Sequence, residues 1–185
     1  VNKKMSNLKK YKYLFLDRDG VINVERPGDY VKNTSEFVFE KDSLKAIALL
    51  SQVFDYIFVV TNQRGVGRNI MSLSDLEHVH NYMIHEIEKA GGYITHIYFC
   101  TDLDSAAINR KPNIGMAFQV QRDYPEVDFA RSIMVGNSKS DIEFGNKLEM
   151  LTVLVGDKYK KEHKIYQAVN AYYENLYKFA VNFTK

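Results

Sequence analysis

The chain has 185 residues, 45% hydrophobic and 26% charged, and 25 lysines and arginines against 23 acids give a net charge of +2. That length suits one domain with a proper core, and a charge so near neutral does not argue for a nucleic-acid or membrane-surface partner. A single cysteine excludes an internal disulfide framework and fits a reducing cytoplasm, and neither a transmembrane-length apolar run nor a secretory signal pattern is present.

Residues 1–10, with Lys3, Lys4, Lys9 and Lys10, read as a flexible, solvated tail ahead of one domain over 11–185. An apolar strand is expected at 13–16, and it ends abruptly in Asp17 and Asp19, with Gly20 next. Two like charges this close raise one pKa and call for a cation or for protein donors. Read alone, Asp-Gly is equally a hairpin turn. At the carboxyl end of a strand in a parallel α/β sheet, it lies where ligands bind. Residues 24–39, with Pro27-Gly28, read as a loop or small hairpin over that edge.

A helix is expected over 41–53, with Leu44, Ile47, Ala48 and Leu50 on one face. A strand over 56–60 runs into Thr61-Asn62-Gln63, followed by Gly65 and Gly67. A hydroxyl, an amide and free backbone donors there suit an anion; the alternative is a strand cap that starts a turn. A helix over 74–90 carries Leu76, Val79, His80, Met83 and Ile87, with Ser72 before it and Gly91-Gly92 to stop it. His78, His80 and His85 on that helix read as core or surface residues.

A strand over 95–99 precedes Cys100 and then Asn109-Arg110-Lys111-Pro112. Pro112 and Asn113 are expected to start the helix at 114–124, and two cations before a helix favour an anionic ligand. The alternative is a solvated basic pair. A strand over 132–135 runs into Gly136-Asn137-Ser138-Lys139-Ser140-Asp141. Asn137 and Asp141 are oxygen ligands suited to magnesium, or the serines simply cap a helix over 139–148. A strand over 151–155 and a last short strand and helix within 172–183 complete the chain.

Strands alternating with helices predict a three-layer α/β/α sandwich around a central parallel sheet with right-handed crossovers. The four polar clusters then fall on one edge of that sheet.

At this point the chain resembles the haloacid dehalogenase superfamily of phosphatases over essentially its whole length. Asp17 and Asp19 match its first motif, DxDGV; Thr61 matches the second; Lys111 the third; Gly136 to Asp141 the fourth, GDxxxD. The longer stretches LDRDGVIN, VVTNQRGVGR and RKPNIGM are similar to the branch that contains histidinol-phosphate phosphatase and heptose 1,7-bisphosphate phosphatase. The resemblance implies a HAD-like Rossmannoid fold without a large cap domain. It also implies Mg2+-dependent hydrolysis through an aspartyl-phosphate.

In that scheme Asp17 is the nucleophile and Asp19 the acid and base, its pKa raised by the crowding of carboxylates. Thr61 and Asn62 bond the transferring phosphoryl group, and Lys111 neutralises it and orients Asp17. Arg110 meets the rest of the substrate, and Arg110 or Arg68 engages the distal group of a bisphosphate. Asp17, the Asp19 carbonyl, Asn137 and Asp141 hold the metal. Two departures stand out. The branch's zinc loop is reduced to Cys100, so no structural zinc is expected. Asn137 stands where an aspartate is usual, which removes one negative charge from the metal site.

The implied substrate is a small phosphorylated metabolite, a heptose or other sugar phosphate or bisphosphate first and histidinol phosphate second. A nucleic-acid 3′-phosphatase is a rival, set back by the near-neutral charge. A weakly active or non-catalytic domain is another, motivated by Asn137. No membrane partner is expected, and the sequence is silent on oligomeric state.

Overall fold

Six parallel strands make one sheet in the spatial order β3-β2-β1-β4-β5-β6: β1 Tyr13–Leu16, β2 Tyr56–Asn62, β3 His96–Cys100, β4 Ser132–Gly136, β5 Leu151–Val155 and β6 Ala171–Tyr173. The helices are α1 Ser43–Leu50, α2 Arg64–Gly67, α3 Leu73–Lys89, α4 Gly115–Asp123, α5 Lys139–Lys147 and α6 Leu176–Phe183. This computed structural model describes residues 10–160 and 162–185; the expected tail, apart from its last residue, lies outside the described residues. Among them no helix is long and apolar enough to cross a membrane.

Strand side chains alternate across the sheet, and both faces are covered, so the central strands read as continuous apolar runs. Leu14, Leu16, Ile57, Val59, Ile133 and Val135 pack on one side against residues of α1, α3 and α6. Phe15, Phe58, Val60 and Met134 pack on the other against Met116, Ala117 and Val120 of α4 and Phe144 of α5. The result is the expected three-layer sandwich. At about 25 cal/mol per Å² of apolar surface removed from water, each fully buried Phe or Leu contributes about 1.5–3 kcal/mol.

Register places the site. Leu16, the last residue of β1, lies between Val59 of β2 and Val135 of β4. The residues that follow these three neighbours therefore emerge side by side at the carboxyl edge. The sheet order changes direction at β1, so this edge is also the crevice where an open α/β sheet takes its ligand.

Most boundaries shift by a few residues from expectation, and three places near the site matter. Strand β2 runs on through Thr61 and Asn62, because Phe99 and Cys100 of β3 extend far enough to pair with them. Helix α4 starts at Gly115, within one residue of the expected 114, but the expected start signals Pro112 and Asn113 lie outside it. Asn113 does not cap it, because its side-chain amide donates to the carbonyls of Ser105 and Ala107, both at 2.9 Å. Between β2 and α3 lies the unexpected turn of helix α2. The segment 24–39 does lie at the carboxyl edge. Its base is closed by the Val24 N–H on Val38 O at 2.8 Å and the Glu40 N–H on Ile22 O at 2.9 Å. Among the described residues no insertion forms a second layer over the sheet, so there is no large cap.

Candidate active site

Lys111 occupies the centre of the carboxyl edge. An ammonium has three protons to donate, and here each has an acceptor: Asp17 Oδ1 at 2.9 Å, Asp141 Oδ1 at 2.6 Å and the Val60 carbonyl at 2.6 Å. Only 3% of Lys111 is exposed. Burial works against its charge, and the carboxylates of Asp141 and Asp17 outweigh burial, so its pKa lies above the ordinary lysine value. With its donors used inside the protein, Lys111 presents charge to the cleft and aims Asp17.

Asp17 directly follows β1, and its N–H bonds the Val135 carbonyl at 3.0 Å. Burial first, and then the neighbouring charge of Asp141, push its carboxyl up to about 7 against the pull of Lys111. Asp141 is held on both sides. Its Oδ1 takes Lys111, and its Oδ2 takes the Ser138 N–H at 3.0 Å and the Ser138 hydroxyl at 2.6 Å. The same contacts form a capping box at the start of α5. Ser138 therefore caps the helix, as the second reading of this cluster has it, and Asp141 at the same time binds Lys111.

Asp19 corrects an expectation. Crowding of carboxylates does not raise its pKa, because it sits among donors. Arg18 Nη2 and Asn23 Nδ2 reach Oδ1, each at 3.0 Å, and Gln63 Nε2 reaches Oδ2 at 2.8 Å. Burial would lift the carboxyl; the Arg18 charge and these hydrogen bonds more than offset it and hold the pKa below the ordinary value. An arriving phosphoryl anion is the like charge that moves it upward. Arg18 is itself buried, and its Nη1 lies 3.1 Å from His80 Nε2 on α3. Burial and then the Arg18 charge press His80 down to about 3, so it is neutral and accepts this bond. Nothing in the sequence marks this pairing of Arg18 and His80, although a core place for His80 is among its expected roles.

Thr61 Oγ1 accepts from Gln63 Nε2 at 2.9 Å, which leaves its own O–H free to donate into the cleft. Asn62 lines the cleft, but most of its amide is committed elsewhere. Its amide clasps the backbone of Lys111, Nδ2 to the carbonyl at 3.1 Å and Oδ1 from the N–H at 3.0 Å. It ties the Lys111 loop to β2, with one amide proton to spare. Arg110 departs from its expected role. It is not brought into the cleft; its Nη1 donates instead to the Leu103 carbonyl.

Asn137 follows β4 and is 6% exposed. Its Nδ2 donates to Glu25 Oε2 at 2.9 Å, and Lys158 Nζ grips both Glu25 oxygens at 2.8 and 2.9 Å. The amide presses against Gly20, whose φ is +79° and where a Cβ would stand 1.8 Å from Nδ2. Only glycine suits that backbone and that approach.

These groups line an open cleft of about 350 Å³ whose outer wall carries Arg64 and Arg68 of the α2 turn. Arg26 pairs with Asp29 at 3.1 Å and Lys158 with Glu25. Arg64 and Arg68 have no carboxylate partner among the described residues. For the distal group of a bisphosphate the sequence offers Arg110 or Arg68; the structure brings Arg68 to the cleft and not Arg110. Arg64 is the addition, and the signal that finds it is its four-residue spacing from Arg68 across a Gly-X-Gly turn.

A divalent cation fits the donor set. Asp17, Asn137 and Asp141 line one end of the cleft and offer only oxygen, the preference of Mg2+. Among the described residues no donor reaches Asp17 Oδ2 or Asn137 Oδ1. Cys100, the last residue of β3, is buried, and its thiol donates to Asp102 Oδ2 at 3.4 Å.

A family model described as polynucleotide kinase 3 phosphatase matches residues 12–182. The chain is 37% identical over 136 residues to a D-glycero-alpha-D-manno-heptose-1,7-bisphosphate 7-phosphatase of Mycobacterium bovis, covering 73% of this chain and 72% of that one. It is 33% identical over 157 residues to a D-glycero-beta-D-manno-heptose-1,7-bisphosphate 7-phosphatase of Neisseria meningitidis, covering 82% of this chain and 83% of that one. A solved D,D-heptose 1,7-bisphosphate phosphatase from B. bronchiseptica, complexed with magnesium and phosphate, superposes with a TM-score of 0.80 at 27% identity, over 92% of this chain and 97% of that one.

Proposed function

The chain belongs to the haloacid dehalogenase-like phosphatases, in the family described as polynucleotide kinase 3 phosphatase, and on that premise we propose that it hydrolyses a phosphorylated sugar, a heptose bisphosphate first, through an aspartyl-phosphate on Asp17. The observation that carries this reading is the buried Lys111, which holds Asp17 Oδ1 and leaves Oδ2 facing an open cleft.

Asp17 Oδ2 attacks phosphorus, and the bond from phosphorus to the sugar oxygen breaks. Asp19 gives its proton to that leaving oxygen, then takes one from the water that attacks the acyl-phosphate, which frees Asp17 and inorganic phosphate. The Thr61 hydroxyl donates to a phosphoryl oxygen, and Lys111 offsets charge as two anions meet. Asp17, the Asp19 carbonyl, Asn137 and Asp141 are the residues that would hold Mg2+, which supplies charge neutralisation between nucleophile and phosphoryl group. Arg64 and Arg68 are placed to take the second phosphate of a bisphosphate.

The test is a screen of sugar phosphates and bisphosphates, histidinol phosphate, nucleotides and 3′-phosphorylated oligonucleotides, with and without Mg2+. Preference for a sugar bisphosphate is expected. Joint replacement Arg64→Ala/Arg68→Ala should raise KM for it about 10- to 100-fold, the scale of one or two charge-assisted hydrogen bonds, and barely change KM for an aryl phosphate. Equal effects on both would remove these arginines from the distal subsite, and preference for the oligonucleotides would overturn the metabolite reading.

Elemental analysis should find no stoichiometric zinc, because Cys100 is the chain's one cysteine and a tetrahedral site needs four ligands. Zinc that survives chelation would contradict this. The reduced thiol suits the cytoplasm, where we place the enzyme.

A further inference from the structure

We propose that Glu25 is a positioning residue that makes the two-ended amide of Asn137 a cation ligand, by holding Nδ2 and leaving Oδ1 for Mg2+. The inference rests on the metal reading above.

Aspartate offers a cation oxygen whichever way its side chain is turned. Asparagine does not: one end of the amide accepts and the other only donates. Turned the wrong way, Asn137 would present an NH2 group to the metal. Something at this position must therefore choose the orientation, and a group that can only accept does so. Glu25 Oε2 lies 2.9 Å from Nδ2. Gly20 leaves room for the amide to settle there, since any larger residue would overlap Nδ2. The opposite end, Oδ1, takes no protein donor among the described residues, and Asn137 shares its end of the cleft with Asp17 and Asp141.

Lys158 completes the device from the β5–β6 connection. By gripping both carboxylate oxygens it fixes the direction of Glu25 and keeps that carboxylate on the amide rather than on the cation. Asn137, Glu25 and Lys158 thus form a short chain of hydrogen bonds reaching from the metal end of the cleft to its rim. Partners at one remove from a metal usually set its affinity through ligand orientation.

The experiment is Mg2+ titration by calorimetry, with Mn2+ binding by paramagnetic resonance as a second readout, on the wild type, Glu25→Ala, Glu25→Gln, Asn137→Asp and the double variant Glu25→Ala/Asn137→Asp. Glu25→Ala should weaken Mg2+ binding about 10-fold, the usual scale for such partners. Glu25→Gln, which still offers an oxygen to Nδ2, should recover part of it. In the Asn137→Asp background the sign should reverse: an aspartate needs no orienting and is repelled by Glu25, so Glu25→Ala should tighten binding. Glu25 is half-exposed at the rim, and circular dichroism of each variant checks the fold. An equal loss in both backgrounds would make Glu25 a direct ligand and overturn the proposal, as would no loss in either. Absence of Mg2+ binding by the wild type would overturn the metal reading itself.

Discussion

Asp17→Asn is expected to lower turnover of an aryl phosphate about 10⁴-fold or more, the scale on which enzymes lose rate when a covalent nucleophile is removed. An amide oxygen still accepts from Lys111, so the fold and the cleft survive and the loss is chemical. Near-normal activity in this variant would exclude the aspartyl-phosphate route.

The same substitution has a second signature, in stability. The Asp17 carboxyl titrates near 3.8 in the unfolded chain and at about 7 in the folded protein, raised by burial and by Asp141. Between those values the folded protein keeps a proton that the unfolded chain has released. Stability contributed by this group is therefore whole below the unfolded value and falls as pH rises through about 7. The amide introduced by Asp17→Asn has no such proton to lose. In chelator, denaturant unfolding should show the variant more stable than the wild type at pH 8, by on the order of 2–4 kcal/mol, and near parity at pH 4. A parallel pH profile for both proteins would mean that Asp17 is not the group under strain.

Lys111→Met should be the most damaging single change to the fold among the site residues. It removes the cation between Asp17 and Asp141 and leaves two buried carboxylates facing each other. Breaking a buried pair from one side costs about 3–5 kcal/mol. The penalty grows from pH 5 to pH 8, because Asp17, already raised to about 7 by burial and by the charge of Asp141, must ionise there without the ammonium. Turnover should fall about 10²- to 10³-fold from lost charge stabilisation alone. Mg2+ binding to the folded state should return part of the stability by mass action. Thermal unfolding at the two pH values, with and without Mg2+, tests this. A Lys111→Met protein as stable as the wild type at pH 8 would show that something else balances the two acids.

The strands and long helices are legible in the sequence because their signals are local. The apolar runs at 13–16 and 132–135, and the Ser72 and Gly91 stops around α3, depend on residues adjacent in sequence. That Asp17, Thr61, Lys111, Asn137 and Asp141 gather at one edge is legible because each lies at or near a strand's carboxyl end or a helix start, and a parallel sheet brings those points together. What could not be read depends on which long side chain wins a given acceptor. Arg110 and Lys111 are neighbours in sequence, yet one turns to the Leu103 carbonyl and the other into the core. Asn62 is taken up by the Lys111 backbone, Asp19 is wrapped by Arg18, Asn23 and Gln63, and Arg18 finds His80 across 62 residues. Each is a contest among partners far apart in the chain, and residue type alone does not decide it.

The three acceptors of the Lys111 ammonium stand 94, 51 and 30 residues away along the chain. Such contacts have high sequence separation, and closing the loops between them is slow relative to local structure. The ammonium cannot shed water at reasonable cost until β1, β2 and the start of α5 are already side by side. A helix or a strand pair on its own contains none of these contacts. If Asp17 is the nucleophile proposed above, a nascent or partly unfolded chain exposes no Lys111-aimed aspartate, and competence arrives with closure of the sheet's centre.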